Sequence, residues 1–341
     1  MFSICYPLAS NVTSDAPPRG VGNARGKRRT LTPGLRRHAC RLVLAFTLTL
    51  SSGMAAGAPQ QTPDADTIAR NVDYVNRFNA LRNVSYGTDK QPVVVFDHTP
   101  GERIVANTFR RWRTNDVSDE GVAARDLVVF RGGKLDGTGI LVADPVDPAR
   151  TRTYIMWLPE LRKARRMLEP DAADHWGNSN FSYGDIYLRR PEDEDHEVLG
   201  RENFSGCLGA VAQAVAQGDR RLAGLPEADC SVDGRQVYRV RSRPHRDDLG
   251  YDERIVLIDA ESFADYRSTF FAGGVLIKTI DKSWRGMRMD DPRARHWRYW
   301  YARTEATGQE GMAFVPDGAV SWNDDIEPRF WSESTLRRMS R

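Results

Sequence analysis

From residue 92 onward the chain is a succession of short apolar runs separated by turn signals. β-branched and aromatic residues gather near 92–98, 103–113, 125–131, 138–143, 152–158 and 162–168. They gather again near 235–242, 253–259, 263–271, 275–284, 296–304 and 311–315. Each run reads as a strand. Thr99-Pro100-Gly101, Gly132-Gly133, Asp144-Pro145, Gly273-Gly274 and Thr307-Gly308 stand between them as turns. Connections this short cannot hold crossover helices, so the sheet they predict is mainly antiparallel. A meander of this length forms a barrel, a half-barrel or a sandwich. Val93–Phe96, Leu127–Phe130, Tyr154–Leu158 and Ile255–Ile258 are apolar at successive positions, which marks strands covered on both faces.

Two segments depart from this pattern. In residues 62–82, Ile68, Val72, Val75, Phe78 and Leu81 recur at helical spacing. The spacing predicts one amphipathic helix, capped by Thr62 with Pro63 in its first position. Residues 205–227 interrupt the meander as an insertion, with a short helix expected over Cys207–Val215. Pro191–His196 is acidic and reads as a solvated turn.

The first sixty residues follow other rules. Leu42–Leu50 is a short apolar run preceded by Arg36, Arg37 and Arg41 and followed by small residues ending in Ala55-Ala56-Gly57-Ala58. This is the layout of a secretory signal peptide, and the run is short for a membrane span, which needs about 20 apolar residues. Residues 1–58 are therefore expected to be a leader. Residues 59–341 are expected to be a single domain, exported to a bacterial periplasm. The leader changes the charge balance. Residues 1–58 hold eight of the 49 Lys/Arg and one of the 46 Asp/Glu, so residues 59–341 carry 41 basic and 45 acidic residues, net −4. The basic balance of the whole chain thus comes from its start and gives no support for nucleic-acid binding.

Two cysteines follow the leader, Cys207 and Cys230. An even count in an oxidising compartment favours a disulfide across the insertion. Local catalytic and metal motifs are missing: no Gly-x-Ser-x-Gly elbow, no phosphate-binding glycine loop, no paired histidines at ligand spacing. All eight tryptophans lie after the leader. Strict alternation along Trp297–Tyr301 puts Trp297, Tyr299 and Tyr301 on one face and Trp300 on the other.

At Tyr154–Met167 (Tyr-Ile-Met-Trp-Leu-Pro-Glu-Leu-Arg-Lys-Ala-Arg-Arg-Met) and Gly177–Asp185 (Gly-Asn-Ser-Asn-Phe-Ser-Tyr-Gly-Asp) the sequence resembles the LolA-like outer-membrane lipoprotein-sorting family. Asn180 replaces an Asp of the family pattern, and Gly184 an acidic residue. Residues 253–280 and Phe330–Leu336 are similar to further family segments. The resemblance implies a mainly β, α+β fold: a curved antiparallel half-open barrel with capping helices. It also implies a periplasmic, non-enzymatic carrier that holds lipid or lipoprotein acyl chains in an apolar cavity, in lipoprotein sorting or lipid export. An adaptor or regulatory protein of the same fold, binding an envelope sensor or transporter, is the alternative. A monomer is expected, with no cofactor and with an inner-membrane transporter as a further partner. Phe96, Phe109, Phe130, Trp157, Phe181, Tyr183 and Trp297 are the candidate lining residues. Arg162, Arg165 and Arg166 are candidates for the rim, against a lipid head group. A one-residue slip in strand register would turn any of these side chains to the other face.

Overall fold

The computed structural model describes residues 62–341 apart from 120, 187 and 188; the expected leader lies outside the described residues. Fifteen strands form one sheet: β1 (Asn83–Tyr86), β2 (Val93–His98), β3 (Val105–Thr114), β4 (Val122–Gly132), β5 (Gly139–Pro145), β6 (Thr153–Leu158), β7 (Lys163–Met167), β8 (Glu194–Asn203), β9 (Gln236–Pro244), β10 (Glu253–Asp259), β11 (Asp265–Ala272), β12 (Val275–Gly286), β13 (Arg295–Thr304), β14 (Glu310–Phe314) and β15 (Val320–Trp322). Their order is β7-β6-β5-β4-β3-β2-β14-β13-β12-β11-β10-β9-β8, with β1 bridging β3 to β15. Every pairing is antiparallel. β7 and β8 do not pair with each other, so the barrel stays open. Among the described residues three α-helices accompany the sheet: α1 (Ala65–Asn76), α2 (Tyr183–Ile186) and α3 (Glu333–Met339).

The twelve expected strands are all present, and three more were not expected. β8 begins inside the acidic stretch read as a solvated turn. Glu194 is buried there because Arg254 of β10 pairs with it, so its charge was no sign of solvation. β1 and β15 are short, and their pattern is too brief to register. The helix is shorter than predicted. Asp64, not Thr62, caps it by accepting from the Thr67 amide at 2.6 Å. It ends at Arg77, because Phe78 takes a left-handed backbone (φ 57°) that leaves the helix. The short helix expected over Cys207–Val215 is not formed. Gly206 turns at φ 84° and Leu208 bridges to Asp229, so the segment runs extended. It holds single tight turns only at Gln213–Ala216 and Arg220–Leu222.

Cross-strand partners share a face, and this separates the two sides of the sheet. On the front, Val240, Val256, Ser268 and Ile280 run across β9–β12. Lys282, Trp300, Ala313, Val95 and Asn107 continue from β12 to β3. α1 covers the β8–β10 part of this face, placing Ile68 on Tyr238, Val240, Val256 and Ile258. The polypeptide between β7 and β8 crosses the rest and lays Trp176 against Phe109 and Phe130, with ring centroids 5.3 and 5.7 Å away. On the back, α3 seats Leu336 among Trp112, Leu127, Val129, Leu141 and Trp157. The insertion covers the middle of the back. Cys207 and Cys230 are joined in a disulfide, the Gly209 amide donates to Asp281 at 2.6 Å, and a Cβ on Gly209 would stand 2.5 Å from the Tyr301 ring. Only glycine allows that approach.

Candidate functional site

The front face carries polar chemistry that an apolar lining would not predict. Lys282 on β12 is 6% exposed. It donates to Asp265 at 2.7 Å and to the Asn76 side-chain oxygen at 2.9 Å, and lies 4.1 Å over the Trp300 ring. Asn76, at the end of α1, returns a hydrogen bond to Asp265 at 3.0 Å. The helix is thus docked on the sheet by a triad. Burial pushes the Lys282 amine below its ordinary pKa, and the Asp265 charge opposes that shift. Nearby, Asp185 accepts from Lys278 at 2.7 Å and Arg189 at 3.3 Å. Burial works against the Asp185 charge, but the two cations outweigh it and hold the carboxyl well below the usual range. Glu194 behaves alike: burial opposes ionisation, Arg254 prevails, and its pKa is lowered to about 2. Both ring nitrogens of His196 are occupied, by Ser242 and by the Pro191 carbonyl, each at 2.9 Å.

These groups enclose a cavity of about 70 Å³ between α1, the side chains of Asp185, Arg189 and Arg190, and strands β8–β13. It adjoins two other spaces. Trp300 separates it from an aromatic pocket of about 20 Å³, lined by Phe109, Arg111, Val128, Trp176, Ile186, Trp297, Trp300 and Ala313. Arg189, Arg190 and Glu194 are shared with an open cleft of about 560 Å³. Both sides of the opening contribute to that cleft, with Arg152 and Tyr154 from the β6 side and Glu194 from β8. Cleft, charged cavity and aromatic pocket therefore succeed one another along the front face. The two inner spaces fall far short of the 300–1,000 Å³ typical of ligand pockets.

The aromatic pocket has an unusual property. Trp176, Trp297 and Trp300 are 3, 4 and 6% exposed, yet none of their buried indole N–H groups has a hydrogen-bond partner. Buried donors are normally satisfied, and an unsatisfied one costs about 1–3 kcal/mol. Trp284, by contrast, donates to the Asp265 carbonyl at 3.0 Å.

The structure brings Phe109, Phe130, Phe181 and Trp297 together on the front. Phe181 packs edge-on to Trp300, with centroids 6.0 Å apart, and Tyr183 lines the cleft. Phe96 and Trp157 lie elsewhere. Phe96 alternates with Val95 and Asp97, so it faces back with its partner Met312, and Trp157 belongs to the α3 core. A bulge between Ser283 and Trp284 overturns the alternation expected in β13 and puts Trp297 on the same side as Trp300, with ring centroids 6.2 Å apart. Arg162, Arg165 and Arg166 stand exposed on the β6–β7 hairpin, away from the pocket. The ion pairs of Asp185, Glu194 and Lys282 were missed. Their one sequence signal was Lys278 and Lys282, which keep the same facing along β12 and interrupt an otherwise apolar side.

Among the described residues no helix is long and apolar enough to cross a membrane, and no group of three or more His, Cys, Asp or Glu is placed to hold a metal ion.

This arrangement is a LolA-like open-barrel fold. A putative outer-membrane lipoprotein-sorting protein domain from Vibrio parahaemolyticus shares the fold at TM-score 0.58 and 16% identity, over 80% of this chain and 98% of that one. A DUF1329 family protein from Desulfovibrio piger does so at TM-score 0.58 and 12% identity, over 81% of this chain and all of that one. A LolA superfamily protein from Nitrosomonas europaea aligns at TM-score 0.49 and 13% identity, over 80% of this chain and 100% of that one. At such identities the likeness is one of fold. In sequence, a family described as "Uncharacterized protein" matches residues 124–221, and no curated protein matches the chain.

Proposed function

We propose that the protein is a periplasmic, non-enzymatic carrier of an acyl-bearing lipid or lipoprotein, and that the front face is its cargo site. The observation that carries this reading is the trio of buried, unpartnered indole N–H groups around the aromatic pocket. A core selected for packing alone would pair or expose such donors. Apolar rings with unused donors suit an amphiphile, with methylenes against the rings and ester or amide carbonyl oxygens on the indoles. Each buried methylene contributes about 0.8 kcal/mol, so an ordinary acyl chain supplies useful affinity without a charged contact. The inner cavities are small, so on this reading cargo enters by moving α1 and the Trp176–Ile186 segment outward. The arginine-bearing cleft is the natural mouth. The fold shared with the lipoprotein-sorting protein domain from Vibrio parahaemolyticus agrees with this reading.

The test is a titration with a fluorescent fatty acid or phospholipid, together with native mass spectrometry of protein purified from the periplasm. Bound lipid in the native spectrum and saturable binding are expected. Trp300→Phe keeps a ring but removes a donor, and should weaken binding about fivefold for one lost hydrogen bond. A wild type that binds no lipid would remove the carrier reading. The tight packing of the front face favours one second reading, a periplasmic adaptor that binds a protein partner. Capture of an inner-membrane partner by delipidated protein would then be the leading result.

A further inference from the structure

The hairpin that ends the sheet on the β7 side is unlike the rest of the surface. Between Pro159 and Leu168 it carries Arg162, Lys163, Arg165 and Arg166 against one carboxylate, Glu160. None of the four cations has an acidic partner among the described residues, although arginines elsewhere on the sheet are extensively paired. This concentration sits on residues 59–341, whose net charge is −4. Leu161, Met167 and Leu168 are 50, 43 and 92% exposed, three of the eight large apolar side chains left exposed among the described residues. The turn is tight. The Arg162 amide donates to the Pro159 carbonyl at 3.2 Å, and Arg162 takes φ 49°, which keeps Leu161 at the tip.

We infer that this hairpin docks the protein on an anionic bilayer surface, with the four cations against lipid phosphates and the leucines entering the interface. Cations alone have a simpler explanation, since Lys and Arg on an edge strand discourage pairing with other chains. That explanation leaves the leucines unaccounted for. Leu161 and Leu168 lie outside the five-residue ladder with β6, where they guard no edge. The same geometry disfavours an acidic peptide added as a further strand, because the edge is short and both its faces bear long cations. Basic side chains combined with apolar anchors are what a peripheral membrane surface presents. The inference goes beyond the carrier reading and does not depend on it, since empty protein would dock equally well.

The experiment is flotation of protein purified from the periplasm with phosphatidylcholine vesicles, with and without one-third phosphatidylglycerol. Residues 1–58 are basic and carry an apolar run that would bind such vesicles by itself, so N-terminal sequencing first establishes that every variant starts at the same residue beyond them. A cation near an anionic surface is worth roughly a fivefold change in binding, so Arg165→Gln/Arg166→Gln should lower partitioning onto the anionic vesicles roughly 30-fold. Arg165→Lys/Arg166→Lys should keep it within about threefold. Leu161→Ser/Leu168→Ser should lower it further in high salt than in low salt, where charge still holds the protein. These residues are exposed, so an unchanged melting temperature certifies each variant. Equal flotation of the wild type and the glutamine variant overturns the inference, whatever the lipid titration shows. So does preference for soluble polyglutamate over anionic vesicles, which would make the hairpin a protein-docking edge.

Discussion

The two helices that lie on the sheet cover very different ground. α3 rests on an uninterrupted apolar patch in which Leu127, Val129, Leu141, Trp157 and Leu336 pack together. α1 also buries apolar groups, Ile68 and Val75, but its last turn meets Lys282 and Asp265 instead of more hydrocarbon. An apolar patch stabilises in proportion to its area and loses that stabilisation when water enters. A buried ion pair contributes little net stability, because desolvation offsets the attraction. It fixes geometry, and it can be rehydrated when the covering element lifts. On the carrier reading, the α3 side is the permanent part of the core and the α1 side is the part expected to open. The contrast supports the proposed cargo site independently of the unpartnered indoles.

The largest effect should come from breaking the buried triad. Lys282→Met leaves Asp265 charged and uncompensated beneath α1, at a cost of about 4 kcal/mol. Adding Asp265→Leu should restore most of that loss, since an apolar pair of similar volume is often neutral or better. Urea midpoints of the wild type, single and double variants decide it, and a single variant as stable as the wild type would erase the contrast. Next come two changes on the back. Replacing both Cys207 and Cys230 by Ser releases a loop closed over 23 residues and should cost about 3 kcal/mol in the chain-entropy picture, read as a lower melting temperature with lipid affinity unchanged. Leu336→Ala empties a fully buried site against Gly139 and should also cost about 3 kcal/mol. No second substitution should rescue it as Asp265→Leu rescues Lys282→Met, because the α3 patch holds no charge to neutralise.

Much of the fold is visible in the sequence, for a physical reason. Val93–Phe96 and Leu127–Phe130 are apolar on both strand faces, so small errors in their boundaries do not disguise them. Glu194 and Asp185 are the opposite case. Each is buried against a cation from a distant strand, Arg254 or Lys278, and apart from Arg189 four residues beyond Asp185 the patterning around them holds no trace of a partner. Trp297 shows a third kind of difficulty, since the bulge that turns it forward depends on the partner strand. The candidate site was legible as a set of aromatic residues. Assigning Phe96 and Trp157 to the back required register, which alternation alone does not supply.

The smallest expected effect concerns the clasp that holds the crossing segment on the front. Asp97 of β2 accepts from the Asn180 amide at 2.8 Å and from the Gln309 side chain at 3.1 Å. Burial raises its pKa to about 6, against the pull of those donors. An unfolded aspartate titrates near pH 4. Between roughly pH 4 and 6 the native protein therefore holds a proton that the unfolded chain has released, so this group's contribution to stability falls as pH rises through that window. Glu194 and Asp144, both lowered to about 2, act in the other direction, and they gain their effect mostly below this range. Asp97→Asn should remove the Asp97 component while keeping an acceptor for Asn180. Asp97 is partly exposed, which reduces the full linkage value, so the pH 4.5 to pH 6.5 change should differ between wild type and variant by about 1 kcal/mol. Urea midpoints at the two pH values measure it. Parallel pH dependence in both proteins would mean that Asp97 is already ionised at low pH, and that the crossing segment is held by an open, hydrated contact instead of a buried clasp.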